Sequence, residues 1–440
     1  MASGVVVALK PGRALDVLSL GSFVVLGLPD GMLGTAWPSM RQSFGAPIAD
    51  LGLILIVITA GAVAVSVFVG ALIRRFGVPA LLALSGACAA LGATGFALAP
   101  GLWLVFMVAV LLGVAAGMMD GGLNTAIGLS GRPRLLNLLH AAYGVGTTLG
   151  PLVVTVAIVL SSWRPAYAVL VLLDLVIAAS WLRQRRYEQR QRVRGRPVRG
   201  RPDPDPVASA AGSTPAGAAG GTPGCAAGGR PAAPGHPSDA WSRRRSGWVV
   251  AAGMAIFFVY TGIEVAAGEW EASFCRGHLG LSASAAGIAT FGFWGALTGA
   301  RLVLALLPRP LPPSLVVWWG TGAAVVAAAV IWWQPGTPVT LAGFVVLGAA
   351  LAGVFPALIA LTPGRIGRTR AQHVIAWQVG AAAAGGSGLS ALIGLLIGFA
   401  GLTVLGPSLT VLAVLLAGGL IVLERVAPMP VADPGPDGAG

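Results

Sequence analysis

The chain has few charged residues. Asp, Glu, Lys and Arg make up 10% of its 440 residues, whereas 56% are hydrophobic. Soluble domains carry about 25% charged residues, so this composition excludes an ordinary soluble protein. The mean hydropathy of +0.84 and the length of the apolar runs instead predict a multi-pass integral protein of the cell membrane, with room for about a dozen spans of ~20 residues.

Cysteine and catalytic motifs are scarce as well. Cys88, Cys225 and Cys275 lack a regular spacing, so they indicate neither a disulfide framework nor a metal site. The chain also lacks the P-loop, HExxH and GxSxG motifs, which accompany ATP binding, zinc proteolysis and serine hydrolysis. We therefore expect a protein that is not an enzyme and that needs no cofactor or metal.

Apolar runs of at least about 18 residues, bounded by charge, Pro or Gly, predict transmembrane helices. Twelve such runs are present, six in residues 15–182 and six in residues 247–425, so we expect an all-α membrane protein with two six-helix bundles. The predicted spans are Leu15–Met40, Ile48–Ile73, Val78–Leu98, Gly101–Asn124, Asn137–Ser161, Pro165–Leu182, Gly247–Ser273, Ala283–Leu307, Ser314–Trp333, Val339–Leu361, His373–Ala400 and Leu402–Leu423.

A polar linker, residues 183–246, separates the two bundles. It carries 13 Arg against four acids and continues as a low-complexity run of Ala, Gly, Pro and Ser. With almost no apolar side chains to bury, it is predicted to be disordered, as is the tail 426–440. A basic segment beside a membrane helix attracts anionic lipid, and we expect this partner rather than nucleic acid.

Arginine determines the predicted topology. With the N-terminal segment 1–14 in the cytoplasm, 25 of the 28 Lys and Arg residues fall on the cytoplasmic side, Arg301 included. Only Arg41, Arg164 and Arg276 fall on the outer side. The positive-inside rule therefore predicts twelve spans with both termini in the cytoplasm.

The two halves of the chain resemble each other. Gly27–Trp37 in span 1 and Gly262–Trp270 in span 7 each contain a glycine, an acid two or three residues later, another glycine and a tryptophan. Spans 5 and 11 begin with His140 and His373, each followed by an aromatic residue and a run rich in Gly. Their shared order and half-chain spacing predict an internal duplication.

These features resemble the major facilitator superfamily over essentially the whole chain. Gly70–Gly77 (GALIRRFG) is similar to that superfamily's loop signature, with Arg75 in the matching place and Arg74 where the family has Asp. Within the superfamily, the chain most resembles the fucose permease family of sugar–proton symporters. The segments that carry this resemblance are PDG and WP in span 1, Gly117–Asn124, Leu136–Pro151, Tyr260–Trp270 and Gly292–Arg301.

The resemblance implies a proton-coupling role for acids in spans 1 and 4, here Asp30 and Asp120. The residues support it, because an acid deep in an apolar helix costs several kcal/mol unless it faces a polar cavity or is protonated. Asp120 and Asn124 are spaced i, i+4 and share one helix face, where an acid and an amide can bind two sugar hydroxyls. Hydrogen bonding between helices for packing is the alternative reading.

Other polar and aromatic residues are candidates for the passage. Glu264 occupies the position in span 7 that corresponds to Asp30 in span 1. Tryptophans near these acids are candidates as well, because an indole ring can pack against a sugar ring. Glu269 and Glu271, near the outer end of span 7, are expected to be solvated, and Asp174 to be protonated or hydrogen-bonded laterally in a peripheral span. The predicted solute-binding residues are Asn124, Glu264, Gln378, Trp37, Trp270 and Trp294, and the predicted gating residues are Arg75, Asn137 and His140.

The sequence thus predicts a monomeric transporter that works by alternating access about a midplane site. The favoured function is symport of a sugar or similar polar solute with H⁺, with Na⁺ as an open alternative. Proton-driven efflux of an amphipathic compound is the second interpretation, because GTTLGP (Gly146–Pro151) resembles a signature of superfamily antiporters; close helix packing explains it equally well. A non-transporting membrane receptor is a third.

Overall fold

The computed structural model describes residues 12–128, 130, 132–194 and 237–427. Within these ranges the chain forms fourteen α-helices and one short 3-10 helix, Leu402–Val404. The α-helices are α1 Arg13–Phe44, α2 Asp50–Ser66, α3 Val69–Phe76, α4 Val78–Leu98, α5 Leu102–Gly128, α6 Pro133–Leu160, α7 Arg164–Arg194, α8 Pro237–Gly277, α9 Ala283–Leu306, α10 Pro313–Trp333, α11 Thr337–Leu351, α12 Val354–Ile366, α13 Arg368–Ala400 and α14 Leu405–Val426.

Membrane spans account for nearly all of these helices. In the described part of the chain, eleven segments are long and apolar enough to cross a membrane, with α11 and α12 together forming one of them. A twelfth span results if α2 and α3, which meet at a bend of 56°, count as one. The predicted all-α membrane architecture is therefore confirmed, and the second predicted span is a bent pair. Which side of the membrane the termini face stays a prediction.

The polar linker is helical at both of its ends, so the prediction that all of it is disordered is wrong. Helix α7 continues through residues 183–194, and α8 begins at Pro237. Arg, Gln and Glu favour helices, and Gln184 donates a hydrogen bond of 3.0 Å to Glu188 one turn later. A helix that leaves the membrane can therefore continue into the linker. Residues 195–236 and the tail 428–440 lie outside the described residues.

Glycine lets α1 and α6 pack backbone against backbone. A Cβ on Gly27 would lie 2.2 Å from the Tyr143 carbonyl oxygen, and one on Gly31 would lie 2.0 Å from the Thr147 carbonyl oxygen. On the facing helix, a Cβ on Gly146 would lie 2.0 Å from a carbonyl oxygen of α1. Such approaches require residues without a side chain, and they give the GTTLGP segment a packing role.

Helices α8 and α13 repeat this arrangement in the second half of the chain. A Cβ on Gly385 would lie 2.0 Å from the Phe258 carbonyl oxygen, and one on Gly262 would lie 2.3 Å from a methyl carbon of Leu389. Spans 7 and 11 thus pack as spans 1 and 5 do. This correspondence agrees with the duplication predicted from the sequence. We call α1–α7 the N-terminal half and α8–α14 the C-terminal half.

The two halves meet closely at one end of the molecule. We call this the distal end, because it lies opposite the terminal end, where α1 begins and α14 finishes. A Cβ on Gly52 of α2 would lie 2.4 Å from the Ala391 Cα of α13, and Arg276 of α8 donates to the Ser39 hydroxyl of α1 at 2.7 Å. These contacts close the distal end between the halves.

A second seam between the halves runs along α6 and α9. The Thr148 hydroxyl of α6 donates to the Thr298 hydroxyl of α9 at 3.0 Å, and Thr298 donates to the Gly144 carbonyl oxygen at 2.9 Å. Nearer the distal end, Thr155 of α6 packs on Gly287 of α9, where a Cβ would clash with its hydroxyl. This seam holds one flank of the interface together along much of its length.

Candidate functional site

A cavity of about 840 Å³ lies between the two halves. It is bounded by the distal contacts and reaches Val67 and Ala376 in the direction of the terminal end. The volume falls in the range of sites that enclose small-molecule ligands. Most of the lining is apolar. Its ionisable side chains are Asp30, Asp120, Asp174, Glu264, Glu269, Arg301, His140, Tyr143 and Tyr167.

Asp30 lies in the middle of α1 and is exposed in the cavity. Its carboxyl accepts a hydrogen bond from the Tyr143 hydroxyl of α6. Tyr143 can reach it because Gly27 lets the α6 backbone approach α1 at that level. The glycine face that packs the two helices therefore also positions the partner of the acid.

Asp120 and Asn124 form the i, i+4 pair that their spacing predicts. The Asn124 amide donates to the Asp120 carboxyl at 2.8 Å. Asp120 lines the cavity, whereas Asn124 is not among the residues that line it. His140 of α6 also lines the cavity, within electrostatic range of Asp120, and its ring meets Phe23 edge-on at 6.0 Å between centroids. In this conformation, Asn124 would act on a solute through the carboxyl that it orients.

Glu264 lies on the opposite wall and is neutralised by an arginine. The Arg301 Nη2 of α9 lies 3.1 Å from the Glu264 Oε2, and the Tyr260 hydroxyl also donates to this carboxylate. The same cluster holds the break between α11 and α12. Carbonyl groups at the end of a helix lack partners within it. Here the Leu351 carbonyl oxygen lies 2.9 Å from the Tyr260 hydroxyl and shares its single proton with Glu264, while Arg301 donates to the Ala352 carbonyl oxygen at 3.0 Å.

Arg301 is counted with the inner segments in the predicted topology, but the structure places it inside a span and not in a segment between spans. It lies within α9 and lines the cavity. The sequence contained a signal that could have corrected it, because the predicted span Ala283–Leu307 already encloses Arg301. An arginine inside a span requires an anionic or polar partner, and Glu264 in the neighbouring span provides one.

Besides Asn124, three predicted solute-binding residues lie outside the cavity lining. The buried Trp37 donates its indole N–H to the Ile48 carbonyl oxygen at 3.0 Å, and the buried Trp270 donates to Ser390 at 3.0 Å. A buried indole N–H needs such a partner, and here the partner belongs to the protein. Gln378 is bonded to Thr362 at 3.1 Å in a separate pocket of about 20 Å³. We therefore do not expect these side chains to contact a solute in this conformation.

Trp294 is the member of the predicted tryptophan set that does line the cavity. Its side chain packs over Gly268 of α8, where a Cβ would lie 2.3 Å from the indole ring. Its indole N–H has no hydrogen-bond partner among the described residues. The indole nitrogen is itself buried, so in this conformation Trp294 offers a solute the wall of its ring rather than a hydrogen-bond donor.

The predicted gating residues are not together in the structure. Arg75, at the end of α3, is exposed and lies over the neighbouring Phe76 ring at 5.4 Å. His140 lies inside the cavity rather than at its mouth, and the side chain of Asn137 is outside the described set. A gating function for these residues stays a prediction.

Three acids that sequence reasoning set aside are enclosed by the fold. Glu269 and Glu271 are 2% and 0% exposed, so the expectation that both are solvated is wrong. Asp174 is 6% exposed and lines the cavity, and its Oδ2 has no partner within the described residues. Helix α7 packs tightly on α4, where a Cβ on Gly86 would lie 3.1 Å from the Asp174 carbonyl oxygen. This packing turns Asp174 inward.

Comparisons with known proteins agree with this architecture. The chain is 26% identical over 177 residues to the membrane protein MosC of Rhizobium meliloti, a match that covers 39% of this chain and only 43% of that protein. Two solved structures share its fold. A bacterial homologue of the human lysosomal transporter Spinster, in an inward-facing and occupied conformation, has a TM-score of 0.64 and 13% identity, covering 96% of this chain and 100% of that one. A mutant of the nucleoside transporter NupG has a TM-score of 0.64 and 12% identity, covering 93% and 99%.

At identities of 12% and 13%, these two structures show the fold alone. The family itself is shown by its sequence profile, described as the Major Facilitator Superfamily, which matches residues 19–391. With a cavity between two helical halves and a profile that covers most of its length, this chain belongs to the Major Facilitator Superfamily and is a transporter rather than an enzyme.

Proposed function

We propose that this transporter carries a sugar or a similarly polar solute together with protons by alternating access. The observation that carries the proposal is that both halves direct hydrogen-bonding carboxyl groups into one cavity. Asp30 and Asp120 do so from the N-terminal half, and Glu264 with Arg301 from the C-terminal half. A polyhydroxylated solute between these walls could donate to the carboxyls, accept from the guanidinium and pack against the Trp294 ring.

The accessible side of the cavity supports loading from the terminal end. The distal contacts between the halves separate the cavity from the other end, whereas its lining reaches Val67 and Ala376. The excess of arginine near the terminal end favours a cytoplasmic location for it. Transport would then require the halves to part at the distal end and to meet at the terminal end.

Proton coupling would follow from the cost of enclosing an ionised acid. When the cavity closes, a carboxylate loses the water that stabilises its charge, whereas a carboxylic acid loses much less. Among the described residues, the neutral Tyr143 hydroxyl is the one side-chain hydrogen-bond partner of Asp30. Protonation of Asp30 and binding of a solute would therefore favour the same closed state. A proton and a solute that both stabilise this state would cross the membrane together.

One observation favours the alternative of amphipathic efflux. Most of the cavity lining is apolar, with Leu33, Val63 and Leu297 among its residues, and a hydrophobic wall of this extent also suits a solute with an apolar face. The volume of about 840 Å³ leaves room for such a compound.

A transport assay with purified protein would separate the two functions. Proteoliposomes would be given a panel of radiolabelled sugars, and separately a panel of amphipathic dyes, with and without an imposed pH gradient. We expect at least one sugar to accumulate above its equilibrium level only when the gradient is present. Gradient-driven movement of dyes, with no sugar transported, would overturn the symport proposal in favour of efflux.

A further inference from the structure

Glu269 is a buried acid to which the symport mechanism above gives no role. It lies on α8, near the closed distal end, and its side chain lines the deep end of the cavity. It is 2% exposed, and its Oε2 has no hydrogen-bond partner in the described part of the chain. Burying an unpaired carboxylate costs far more than burying a neutral carboxylic acid. The position therefore favours a bound proton whenever the distal end is closed.

The location of Glu269 ties it to the seam between the halves. A Cβ on Gly34 of α1 would lie 2.5 Å from the Glu269 carbonyl oxygen and 2.8 Å from its Oε2. Helices α1 and α8 belong to opposite halves, so any movement that opens the distal end must separate Gly34 from Glu269. The carboxyl would then be hydrated, and an ionised form would no longer be penalised.

The surroundings of Glu269 would add to the cost of ionising it in place. Asp30 lies one helical turn before Gly34 on α1 and acts electrostatically against a charge on Glu269, whereas the Gly34 backbone offsets part of this cost as long as the two helices stay together. Arg301 is bound by Glu264, and Arg276 by Ser39, so each arginine already has a partner. The groups coupled electrostatically to Glu269 are Asp30 on α1 and Tyr167 on α7. The helices around it also carry Asp16 and Arg41 on α1, Asp174 on α7, Tyr260, Glu264, Glu271, Cys275 and Arg276 on α8 itself, Arg301 on α9, and Arg368, Arg370 and His373 on α13.

We propose that Glu269 is a proton-binding site that controls the distal seal. With a proton bound, Glu269 packs against Gly34 and the seal stays closed; when the proton leaves, the carboxylate is driven toward water and the halves part at the distal end. This inference rests on the proposed function, because it assigns a second proton-binding residue to the same alternating-access cycle. It differs from a role for Asp30, because the partner of Asp30, Tyr143, belongs to the same half, whereas Glu269 packs on Gly34 of the opposite half.

A disulfide across the seal would report its state without any transported solute. A Cβ on Gly398 of α13 would lie 3.7 Å from the Ala49 Cβ of the N-terminal half, a separation that suits a disulfide. The full-length Ala49→Cys, Gly398→Cys protein, with its native cysteines retained, would be oxidised in proteoliposomes at several pH values. Mass spectrometry would measure the yield of the 49–398 bond. Glu269→Gln would be compared with its parent at each pH, because thiolate formation itself rises with pH.

We expect the cross-link yield of the parent to fall relative to that of Glu269→Gln as pH rises, by at most about tenfold per pH unit, the limit for one proton. Glu271→Gln is the matched control, since Glu271 is buried on the same helix but does not line the cavity. It should follow the parent. An identical pH dependence in the parent and in Glu269→Gln would overturn the proposal. So would a loss of pH dependence in Glu271→Gln alone.

The same preparation distinguishes this inference from the proposed function. If the seal responds to pH through Glu269 while no sugar shows proton-driven uptake, the symport proposal fails and the proton site stands. If sugar uptake is proton-driven while the seal of Glu269→Gln responds to pH as the parent does, the symport proposal stands and the role of Glu269 is refuted.

Discussion

The two walls of the cavity hold their acids in different ways. In the N-terminal half, Asp30 and Asp120 have neutral partners, a tyrosine hydroxyl and an asparagine amide. In the C-terminal half, Glu264 is paired with Arg301, which also holds the break of a span. The two halves thus share the same helix packing and carry different chemistry on it. An acid without a cation can exchange a proton at little structural cost, whereas an acid in an ion pair cannot.

Replacing Asp30 should give the largest functional effect and is the most direct test of this contrast. On the proposed function, Asp30→Asn removes the exchangeable proton but keeps a group that can bond to Tyr143. We expect uphill sugar uptake in proteoliposomes to be abolished, while exchange of labelled for unlabelled sugar at equal concentrations persists. The melting temperature in detergent should change little. Uphill uptake at the parent level would remove Asp30 from the coupling mechanism.

The opposite wall should respond to substitution by losing stability. Arg301→Ala leaves Glu264 without its cation and the Ala352 carbonyl without its donor. Breaking a buried ion pair is costly, and because this pair is partly exposed to the cavity we expect a loss of up to about 3 kcal/mol. Thermal unfolding in detergent would measure it.

A double variant provides the control for the arginine. Glu264→Gln with Arg301→Met removes both charges, so it should recover part of the stability that Arg301→Ala loses. If Arg301→Ala is as stable as its parent, or if the double variant is the less stable of the two, the C-terminal wall is not held together by this pair.

The glycine faces should show that the two halves are alike in packing. Gly31→Ala in α1 and Gly385→Ala in α13 each place a methyl group about 2.0 Å from a carbonyl oxygen, and overpacking of this kind costs about 1–3 kcal/mol. We expect both variants to lower the melting temperature. Gly21→Ala and Gly388→Ala are matched controls on the same helices, because a Cβ at either position meets nothing within 4 Å. If only one of the two variants lowered the melting temperature, the similar packing of the two halves would not contribute equally to stability.

The sequence predicted those parts of this molecule that follow from the free-energy cost of placing single residues in a membrane. The spans can be recognised because a segment that crosses a bilayer must be apolar. Asp30, Asp120 and Glu264 can be recognised because an acid at such depth is costly unless it faces a polar cavity or is protonated. All three line the cavity. The pairing of Asp120 with Asn124 also follows from helix geometry alone.

The parts that could not be predicted depend on tertiary contacts. Trp270 lies six residues after Glu264, about 240° around the helix, so closeness in sequence did not place it on the cavity face. Trp37 lies on a more favourable face, but the connection after α1 offers it the Ile48 carbonyl oxygen. Glu269 is enclosed only because Gly34, in the other half of the chain, packs against it. Nothing near Glu269 in the sequence indicates this contact.

The smallest expected effect concerns Asn124 and the acid that it orients. Asn124→Ala removes the 2.8 Å hydrogen bond to Asp120, and bonds of this kind within membranes contribute about 0.6 kcal/mol. We therefore expect a shift in melting temperature near the limit of detection and, on the proposed function, a weakening of sugar binding by roughly threefold, the same free energy expressed as a ratio. Asn124→Asp offers a sharper comparison, because it puts a second carboxyl beside Asp120 without changing the size of the side chain. If Asp120 exchanges protons, this neighbour should move the pH profile of transport, and a profile that stays in place would indicate that Asp120 has a packing role only.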